Sequence, residues 1–428
     1  MKKFLLIWAG ELLSNIGSGM TAFAISMYVY TMTGSVTLVS LTTLLAFLPT
    51  VLLGPVSGVL ADRYDRRVLM IIGDLCSGLG LVYILLQIQN GNQSILPILV
   101  GITWNAVFVA LIEPAYKATI TDILTEDEYA RASGMVQMAG NARYLISPAL
   151  AGIILGFADI RLILLLDIGT FFLTVSMVAI IRKTIQKPIP RKQESFRKQL
   201  QEGFSIIGSN KGVRSLLTVM AFVCFFMGFI QTLTGPMVLA VSNAKTVGIL
   251  ESVCTVGMLV GSLWIGMIGI RRGYAKILCV AGIVCGVAMA LSGVSTNLLF
   301  TGGSIFLFFM ALPFMNTCAD VLIRVSIPNR LQGRVWGIIS LLTQSGTILA
   351  YALCGVLSDY IFEPLLTDDG VLADSVGRII GTGAGRGIGL LLILSGIGMV
   401  VTAYIIGNNK SLKAIQVKGE NLACAESF

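Results

Sequence analysis

The ten residues GVLADRYDRR, Gly58–Arg67, form a short charged turn between two long apolar segments. The segments, at about 36–61 and 67–88, are each long enough for a helix that crosses a bilayer, which needs about 20 apolar residues. The turn contains three arginines. Because short basic loops stay on the cytoplasmic side of a membrane, the turn predicts both a membrane protein and its orientation.

Composition agrees with the turn. The 428 residues are 55% hydrophobic and only 12% charged, whereas soluble proteins carry about 25% charged residues. The net charge of +8 comes mostly from loops on one side of the predicted topology, so it reports orientation and predicts no nucleic-acid partner. The chain has no histidine, so any proton relay must use other side chains or water.

Apolar windows of spanning length recur along the whole chain. Long windows indicate helices, because the strands of a membrane barrel are short and alternating. We therefore predict an all-α membrane protein with about twelve transmembrane helices in two six-helix bundles. The windows lie at about 4–31, 36–61, 67–88, 95–121, 132–157, 161–182, 214–240, 247–270, 276–294, 297–324, 334–361 and 387–406.

A polar, basic segment with two prolines interrupts the windows near the middle of the chain. It predicts a cytoplasmic linker at 183–212, lying in part on anionic lipid. The linker separates an N-terminal six-helix bundle, 1–182, from a C-terminal six-helix bundle, 213–408. A cytoplasmic tail, 409–428, follows, so both termini are predicted in the cytoplasm.

Polar residues inside the predicted spans are the candidates for function, because an ionisable group at mid-bilayer costs roughly 2.5–3.5 kcal/mol. Glu11, Asn15 and Ser18 share one face of the first span, since helical neighbours recur every three to four residues. The stripe predicts a water-filled cavity. Glu11 is either a proton-exchanging carboxylate or a structural hydrogen-bond partner.

Three further charged residues are candidates for proton coupling. Arg143 lies near the middle of the fifth span, too deep to reach water easily, and is expected to pair with Glu11 or Asp167. Such a pair either tunes a proton carrier or is a fixed structural contact. Asp167 and Glu251 lie toward the outer ends of their spans, where water reaches them.

The second bundle carries the other candidate cavity residues. Hydroxyls and amides there either bind a polar solute or join helices. The remaining lining is apolar, which suits a large amphiphilic ligand better than a sugar. The candidates are Phe226, Gln231, Gln344, Thr347 and Tyr351, in addition to Asn15 and Ser18 of the first span.

Signatures of enzymes and cofactors are missing from the sequence. No metal-ligand spacing, nucleophile elbow or phosphate loop occurs, and the cysteines show no Cys-x-x-Cys pair. We therefore expect no enzyme activity, no metal and no cofactor.

The turn resembles the loop between the second and third helices of major facilitator superfamily transporters, Gly-x-Leu-Ala-Asp-Arg-x-Gly-Arg-Arg, with Asp65 in place of the second glycine. Together with the opening GELLSNIGSGMTAFAISMYVYTMTGS, Leu166-Asp167 and Gln332-Gly333-Arg334-Val335, it resembles the macrolide-efflux branch of the drug exporters. The run Ser147–Gly152 is similar to a Gly-Pro-x-x-Gly-Gly element of superfamily antiporters. The resemblance implies two bundles that rock around a central site in a bacterial cytoplasmic membrane.

In that family the loop aspartate, here Asp62, holds the inner gate. We expect its carboxylate to cap the eleventh span near Gly333, a contact worth about 0.3–1 kcal/mol. Asp65 adds a second carboxylate that can share the contact. The gate residues implied are Gly58, Asp62, Arg63, Arg66, Arg67, Gly333 and Arg334.

The function predicted from these features is proton-coupled export of amphiphilic, macrolide-like drugs, which is antiport of the multidrug-resistance type. The alternative is a dedicated exporter of a siderophore, peptide or other metabolite. A membrane sensor or enzyme is the remote alternative. The expected partners are a small-molecule substrate, protons and the lipid bilayer, and the chain is expected to act as a monomer.

Overall fold

A computed structural model gives the structure of the chain and describes residues 2–91, 94–124, 128–182, 211–270, 272–326 and 329–408. Within these ranges the side chains of some residues are outside the description: Lys2, Asp62, Thr121, Ala130, Lys211, 324–326, 329–337 and 406–408.

The described residues of the first half of the chain form seven helices. Their bounds follow the predicted windows closely, because each window ends where glycine, asparagine or charged residues begin. They are α1 (Lys2–Thr33), α2 (Val36–Arg63), α3 (Arg66–Gln89), α4 (Leu96–Ile123), α5 (Tyr129–Leu145), α6 (Ser147–Leu155) and α7 (Ile160–Arg182).

The second half is also helical. Its long helices are α8 (Lys211–Leu239), α9 (Ala244–Ile268), α10 (Tyr274–Val294), α11 (Leu298–Ser326) and α12 (Asn329–Leu357). A π-helical turn, Ser358–Phe362, then leads to two short helices and a last long one. These are α13 (Glu363–Leu365), α14 (Gly377–Ile380) and α15 (Arg386–Asn408).

Eleven helices in the described part of the chain are long and apolar enough to cross a membrane. The predicted fifth span, 132–157, differs because it is broken at Ile146 into α5 and α6. Pro148 lies in the first turn of α6. Proline has no backbone N–H to donate, and its ring clashes with the carbonyl group four residues earlier. Both effects explain the break. The all-α prediction is confirmed.

The chain packs into two compact units. The first unit contains α1–α7 together with residues 242–252, which include the start of α9. The second contains α8, the rest of α9 and α10–α15. The linker at 183–212 lies almost wholly outside the described residues, so the proposed domain boundaries stay a prediction.

Small residues bring helices close together within each unit. A Cβ added to Gly80 of α3 would lie 2.6 Å from the carbonyl oxygen of Gly101 on α4. In the second unit a Cβ on Gly286 of α10 would lie 2.7 Å from the carbonyl oxygen of Gly396 on α15. Close backbone approach through small residues is typical of helix packing in membranes.

The glycine-rich stretch before α15 has a local structural role. Gly381, Gly383 and Gly385 have φ of +93°, +97° and +80°, a region that side chains with a Cβ rarely adopt. The turn lets Glu363 Oε1 accept hydrogen bonds from the backbone N–H of Gly385 (3.1 Å) and Ile388 (3.4 Å). A carboxylate there satisfies free N–H groups at the start of α15.

Candidate functional site

Glu11 lies on α1 of the first unit and is half-buried. The side-chain Nδ2 of Asn15, one turn further along, donates to the Glu11 carbonyl oxygen (2.9 Å) and to Glu11 Oε1 (3.1 Å). Two residues of the predicted stripe, Glu11 and Asn15, are therefore joined by hydrogen bonds. Asn15 holds the Glu11 carboxylate in one orientation, which suits either of the two roles expected for Glu11.

Asp167 on α7 faces the same helix. It is only 1% exposed, and its Oδ1 accepts long hydrogen bonds from the hydroxyls of Ser18 and Thr170, both 3.4 Å. A Cβ on Gly17 would lie 2.6 Å from Asp167 Oδ1. Only glycine at this position leaves enough space for the Asp167 carboxylate to pack against α1.

Arg143 on α5 lies within electrostatic range of Asp167. The start of α6, directly after α5, is fixed against α1, because Ser147 Oγ donates to the carbonyl oxygen of Ile16 (2.9 Å). A Cβ on Gly19 would also lie 2.6 Å from the carbonyl oxygen of Arg143. These contacts place Asp167 of α7 and the Arg143 backbone of α5 against the same stretch of α1, residues 17–19, about two turns from Glu11.

Sequence reasoning missed a third acid in this region, Asp74 on α3. Its side chain is 1% exposed and lies within electrostatic range of Glu11 and Asp167. Its Oδ2 has no hydrogen-bond partner. The available signal was a lone acidic residue within the apolar run MIIGDLCSGLG, 70–80, which is costly inside a membrane unless it has a function.

The Gly58–Arg67 turn forms ion pairs within the first unit. Arg66 Nη1 lies 2.6 Å from Asp122 Oδ1 and 2.9 Å from the carbonyl oxygen of Ala118. Both partners lie near the end of α4. Arg66 Nε also donates to the carbonyl oxygen of Ala61 (3.1 Å). Arg67 is buried, at 1% exposure, whereas Arg63 is exposed.

Asp65, the residue that departs from the family pattern, contributes to local structure. Its Oδ1 accepts from the backbone N–H of Arg67 (3.1 Å) and so caps α3. Its Oδ2 lies 3.4 Å from Arg182 Nε at the end of α7. The carboxylate is thus engaged with α3 and α7, which does not support the expectation that it shares a gate contact with Asp62.

We expect Asp65→Ala to lower the free energy of unfolding by about 0.5–2 kcal/mol, because it removes the cap of α3. Asp65→Asn keeps an acceptor for the cap and loses only the partly exposed ion pair, so its cost should be about 0–1 kcal/mol. A dye that reacts with thiols as they become exposed can follow unfolding, since the half-buried Cys76 lies on α3 itself and is in no disulfide bond. Equal melting temperatures for wild type and Asp65→Ala would contradict this role.

The predicted contact of Asp62 with Gly333 and Arg334 concerns side chains outside the description, so that part of the gate stays a prediction. Gly58 has open space around the position of a Cβ.

In the second unit, the predicted polar residues of α8 and α12 lie close together. Tyr351 donates from its hydroxyl to Gln231 Oε1 (3.0 Å). Thr347 Oγ1 makes long contacts with the carbonyl oxygen of Cys224 and with Gln344 Oε1, both 3.4 Å. Four of the five candidates therefore form one polar patch that joins these two helices.

The fifth candidate, Phe226, is packed into the interior of the second unit. Its ring is 8% exposed, and a Cβ on Gly398 of α15 would lie 3.1 Å from it. Phe225 packs against it edge to face, with ring centroids 5.4 Å apart. This position favours a role in helix packing over contact with a substrate.

Glu251 belongs to the part of α9 that packs in the first unit. The next residue, Ser252, accepts a hydrogen bond at its hydroxyl from the backbone N–H of Ala149 (2.9 Å). A Cβ on Gly152 would lie 2.7 Å from the carbonyl oxygen of Ala244. The Ser147–Gly152 run thus provides a close helix contact within this unit.

A cavity of about 450 Å³ opens in the first unit, at the end opposite the Gly58–Arg67 turn. Its lining includes Tyr28, Thr31, Ile88, Asp159 and Arg161. None of the residues predicted from sequence to line a substrate cavity belongs to it. Its volume falls within the range of small-molecule sites.

Comparison with known proteins places this architecture in a family. The family model described as Major Facilitator Superfamily matches residues 7–351. Macrolide efflux protein A of Streptococcus pyogenes is 28% identical over 361 residues, which cover 82% of this chain and 86% of that protein. The enterobactin exporter of Citrobacter koseri is 21% identical over 365 residues, which cover 83% and 85%.

The fold has a solved counterpart. A bacterial homologue of the human lysosomal transporter Spinster, in an inward-facing and unoccupied conformation, superimposes with a TM-score of 0.72 at 14% identity over 98% of each chain. At that identity the likeness shows the fold alone. The helical architecture and the family match over most of the chain show a transporter and not an enzyme, and the chain belongs to the Major Facilitator Superfamily.

Proposed function

We propose that the chain is a proton-coupled exporter that moves amphiphilic, macrolide-like compounds across a bacterial cytoplasmic membrane by alternating access. One observation carries the coupling: one unit holds the half-buried Glu11 on α1 and the buried Asp167 on α7, with Arg143 within electrostatic range of Asp167. The similarity to a macrolide efflux protein supports the substrate class.

The two carboxylates suit proton exchange because each has two states that differ by a full charge in a medium of low dielectric constant. An ionised carboxylate is stabilised there only by an opposite charge or by hydrogen-bond donors. Arg143, Ser18 and Thr170 offer these to Asp167, and Asn15 offers one to Glu11. Movement of α1 relative to α7 would change these contacts and so couple proton binding to helix motion.

The driving force is sufficient for export. One proton that crosses 100 mV supplies about 2.3 kcal/mol, enough for a roughly fiftyfold concentration ratio of a neutral substrate. We place both termini in the cytoplasm, because that orientation puts the basic Gly58–Arg67 turn on the side where positive loops remain. We propose that the monomer is the transporting unit.

The proposal is tested with erythromycin as the probe in inverted membrane vesicles that contain the full chain. An imposed gradient with an acidic interior should drive erythromycin accumulation, and a protonophore should abolish it. Vesicles without the chain are the control. Erythromycin accumulation that is insensitive to the gradient would contradict proton coupling.

The second candidate is export of a siderophore, and the relative named as an enterobactin exporter favours it. Enterobactin is tested in the same vesicles, as a competitor and as a transported compound. Accumulation of enterobactin together with a failure to accumulate erythromycin would select this candidate.

A further inference from the structure

We propose that Asp74 is a second proton-carrying carboxyl group of the first unit, which binds and releases a proton in each transport cycle in addition to the Glu11–Asp167 group. The proposal rests on the proton-coupled export proposed above and deepens it. It assigns a function to a buried acid that the export site, as predicted from the sequence, does not include.

The position of Asp74 is the first argument. α3 packs on α7, where a Cβ on Gly78 would lie 3.4 Å from the ring of Phe171, one helical turn from Asp167. On the same face of α7, Thr174 Oγ1 donates to the carbonyl oxygen of Gly10 (3.1 Å), next to Glu11. The helices that carry the three acids therefore meet along one stripe of α7.

The unsatisfied atom is the second argument. Asp74 Oδ2 is buried without a hydrogen-bond partner, whereas Asp167 Oδ1 accepts from two hydroxyls and Glu11 Oε1 from an amide. A buried carboxylate oxygen without a donor disfavours the anion. The neutral acid, with its proton on Oδ2, is the form that this environment tolerates.

The charges around Asp74 lead to the same conclusion. Glu11 and Asp167 act on it from α1 and α7, and both repel a negative charge at Asp74. Arg143 acts on Asp167 from α5. Counted together with Arg143 alone, three ionised acids would leave two negative charges uncompensated, so one proton on Glu11 or Asp167 and one on Asp74 make this set of four side chains neutral.

Other titratable groups on the helices packed around Asp74 complete the surroundings. α4 contributes the buried Tyr116, whose hydroxyl has no hydrogen-bond partner, and an exposed pair, Glu113 with Lys117 at 2.6 Å. On α3 itself, the buried Arg67 lies two turns away, toward the basic turn.

A proton is the occupant that fits. It needs a single carboxylate oxygen, whereas a cation such as Ca²⁺ needs six or more ligands. No three acidic, cysteine or histidine side chains in the described ranges come close enough to hold a metal ion. The step is simple: one O–H bond forms at Oδ2 when the proton binds and breaks when it leaves, and no co-reactant is needed.

The test uses the full chain in proteoliposomes, with erythromycin, which carries one amine and is a monocation at neutral pH. Exchange of two protons for one monocation moves net charge, so a membrane potential alone drives it. Exchange of one proton is electroneutral and responds only to a pH gradient. Wild type should respond to both driving forces.

Asp74→Asn should lose the response to potential at least tenfold and keep the response to the pH gradient. Asp74→Glu restores a carboxyl group and should recover the potential response. The matched control is Asp374→Asn, because Asp374 is 98% exposed, and it should behave as wild type. An undiminished potential response in Asp74→Asn would overturn the proposal.

A measurement on wild type covers the case in which Asp74→Asn does not fold. Erythromycin added to purified wild type in weakly buffered detergent should release two protons per molecule bound, and release of one would overturn the proposal. A wild type that transports erythromycin with the pH gradient but ignores potential leaves proton-coupled export intact and overturns the role of Asp74. A wild type that ignores the pH gradient overturns both.

Discussion

Glu11→Gln is expected to reduce pH-driven erythromycin accumulation at least tenfold while leaving the protein folded. Glutamine preserves the size of the side chain and can still accept from Asn15 through its carbonyl oxygen, but it cannot bind and release a proton. The loss should therefore lie in coupling. Accumulation in inverted vesicles, normalised to protein amount, measures it.

Two further variants make the Glu11 result specific. Glu11→Asp keeps a carboxyl group and should retain part of the pH-driven transport. Glu113→Gln makes the same substitution at an exposed glutamate and should transport as wild type. Full pH-driven accumulation in Glu11→Gln would remove Glu11 from the coupling mechanism and leave it the structural role in which it pairs with Asn15.

Gly346→Ala is expected to destabilise the second unit by about 1–3 kcal/mol, the usual cost of overpacking. A Cβ on Gly346 of α12 would overlap the carbonyl group of Ala221 and lie 3.1 Å from the backbone nitrogen of Phe225, both on α8. Backbone atoms on α8 cannot rotate away as a side chain can. The two helices must separate, and the hydrogen bond between Tyr351 and Gln231 should weaken with them.

The matched control for Gly346 is Gly303→Ala in α11, where a Cβ would meet open space. Alanine is the better helix former, so this variant should be as stable as wild type or slightly more stable. Thermal unfolding of the purified variants in detergent gives the comparison. A melting temperature of Gly346→Ala equal to that of Gly303→Ala would show that α8 and α12 tolerate a larger separation.

Sequence reasoning worked best where one physical constraint acts alone. The need to bury about 20 apolar residues per helix located the spans, and the observed helices begin and end near the predicted bounds. The break between α5 and α6 was missed because hydropathy does not register the lost hydrogen bond at Pro148. The proline itself was the sequence signal for a break in the helix.

The candidate site was harder to predict because it depends on tertiary packing. The helical period placed Glu11, Asn15 and Ser18 on one face of the first span, and the depth of Arg143 suggested a partner in Glu11 or Asp167. Asp74 could be noticed as a lone acid, but its place beside Glu11 and Asp167 depends on how α3 packs against α7. The pairing of Asp65 with Arg182 likewise joins residues far apart in the chain, which no local pattern reports.

The measurement that tests the central claim most directly is proton movement during transport by wild type. Proteoliposomes that hold the full chain and a pH-sensitive dye are preloaded with erythromycin and diluted into erythromycin-free buffer, with no pH gradient imposed. Beyond the acidification that passive loss of the neutral base causes in liposomes without the chain, outward flow of erythromycin should draw protons inward and acidify the interior further. Glu11→Gln should reduce this additional signal at least tenfold. Erythromycin efflux through the chain without this additional acidification would contradict proton-coupled export.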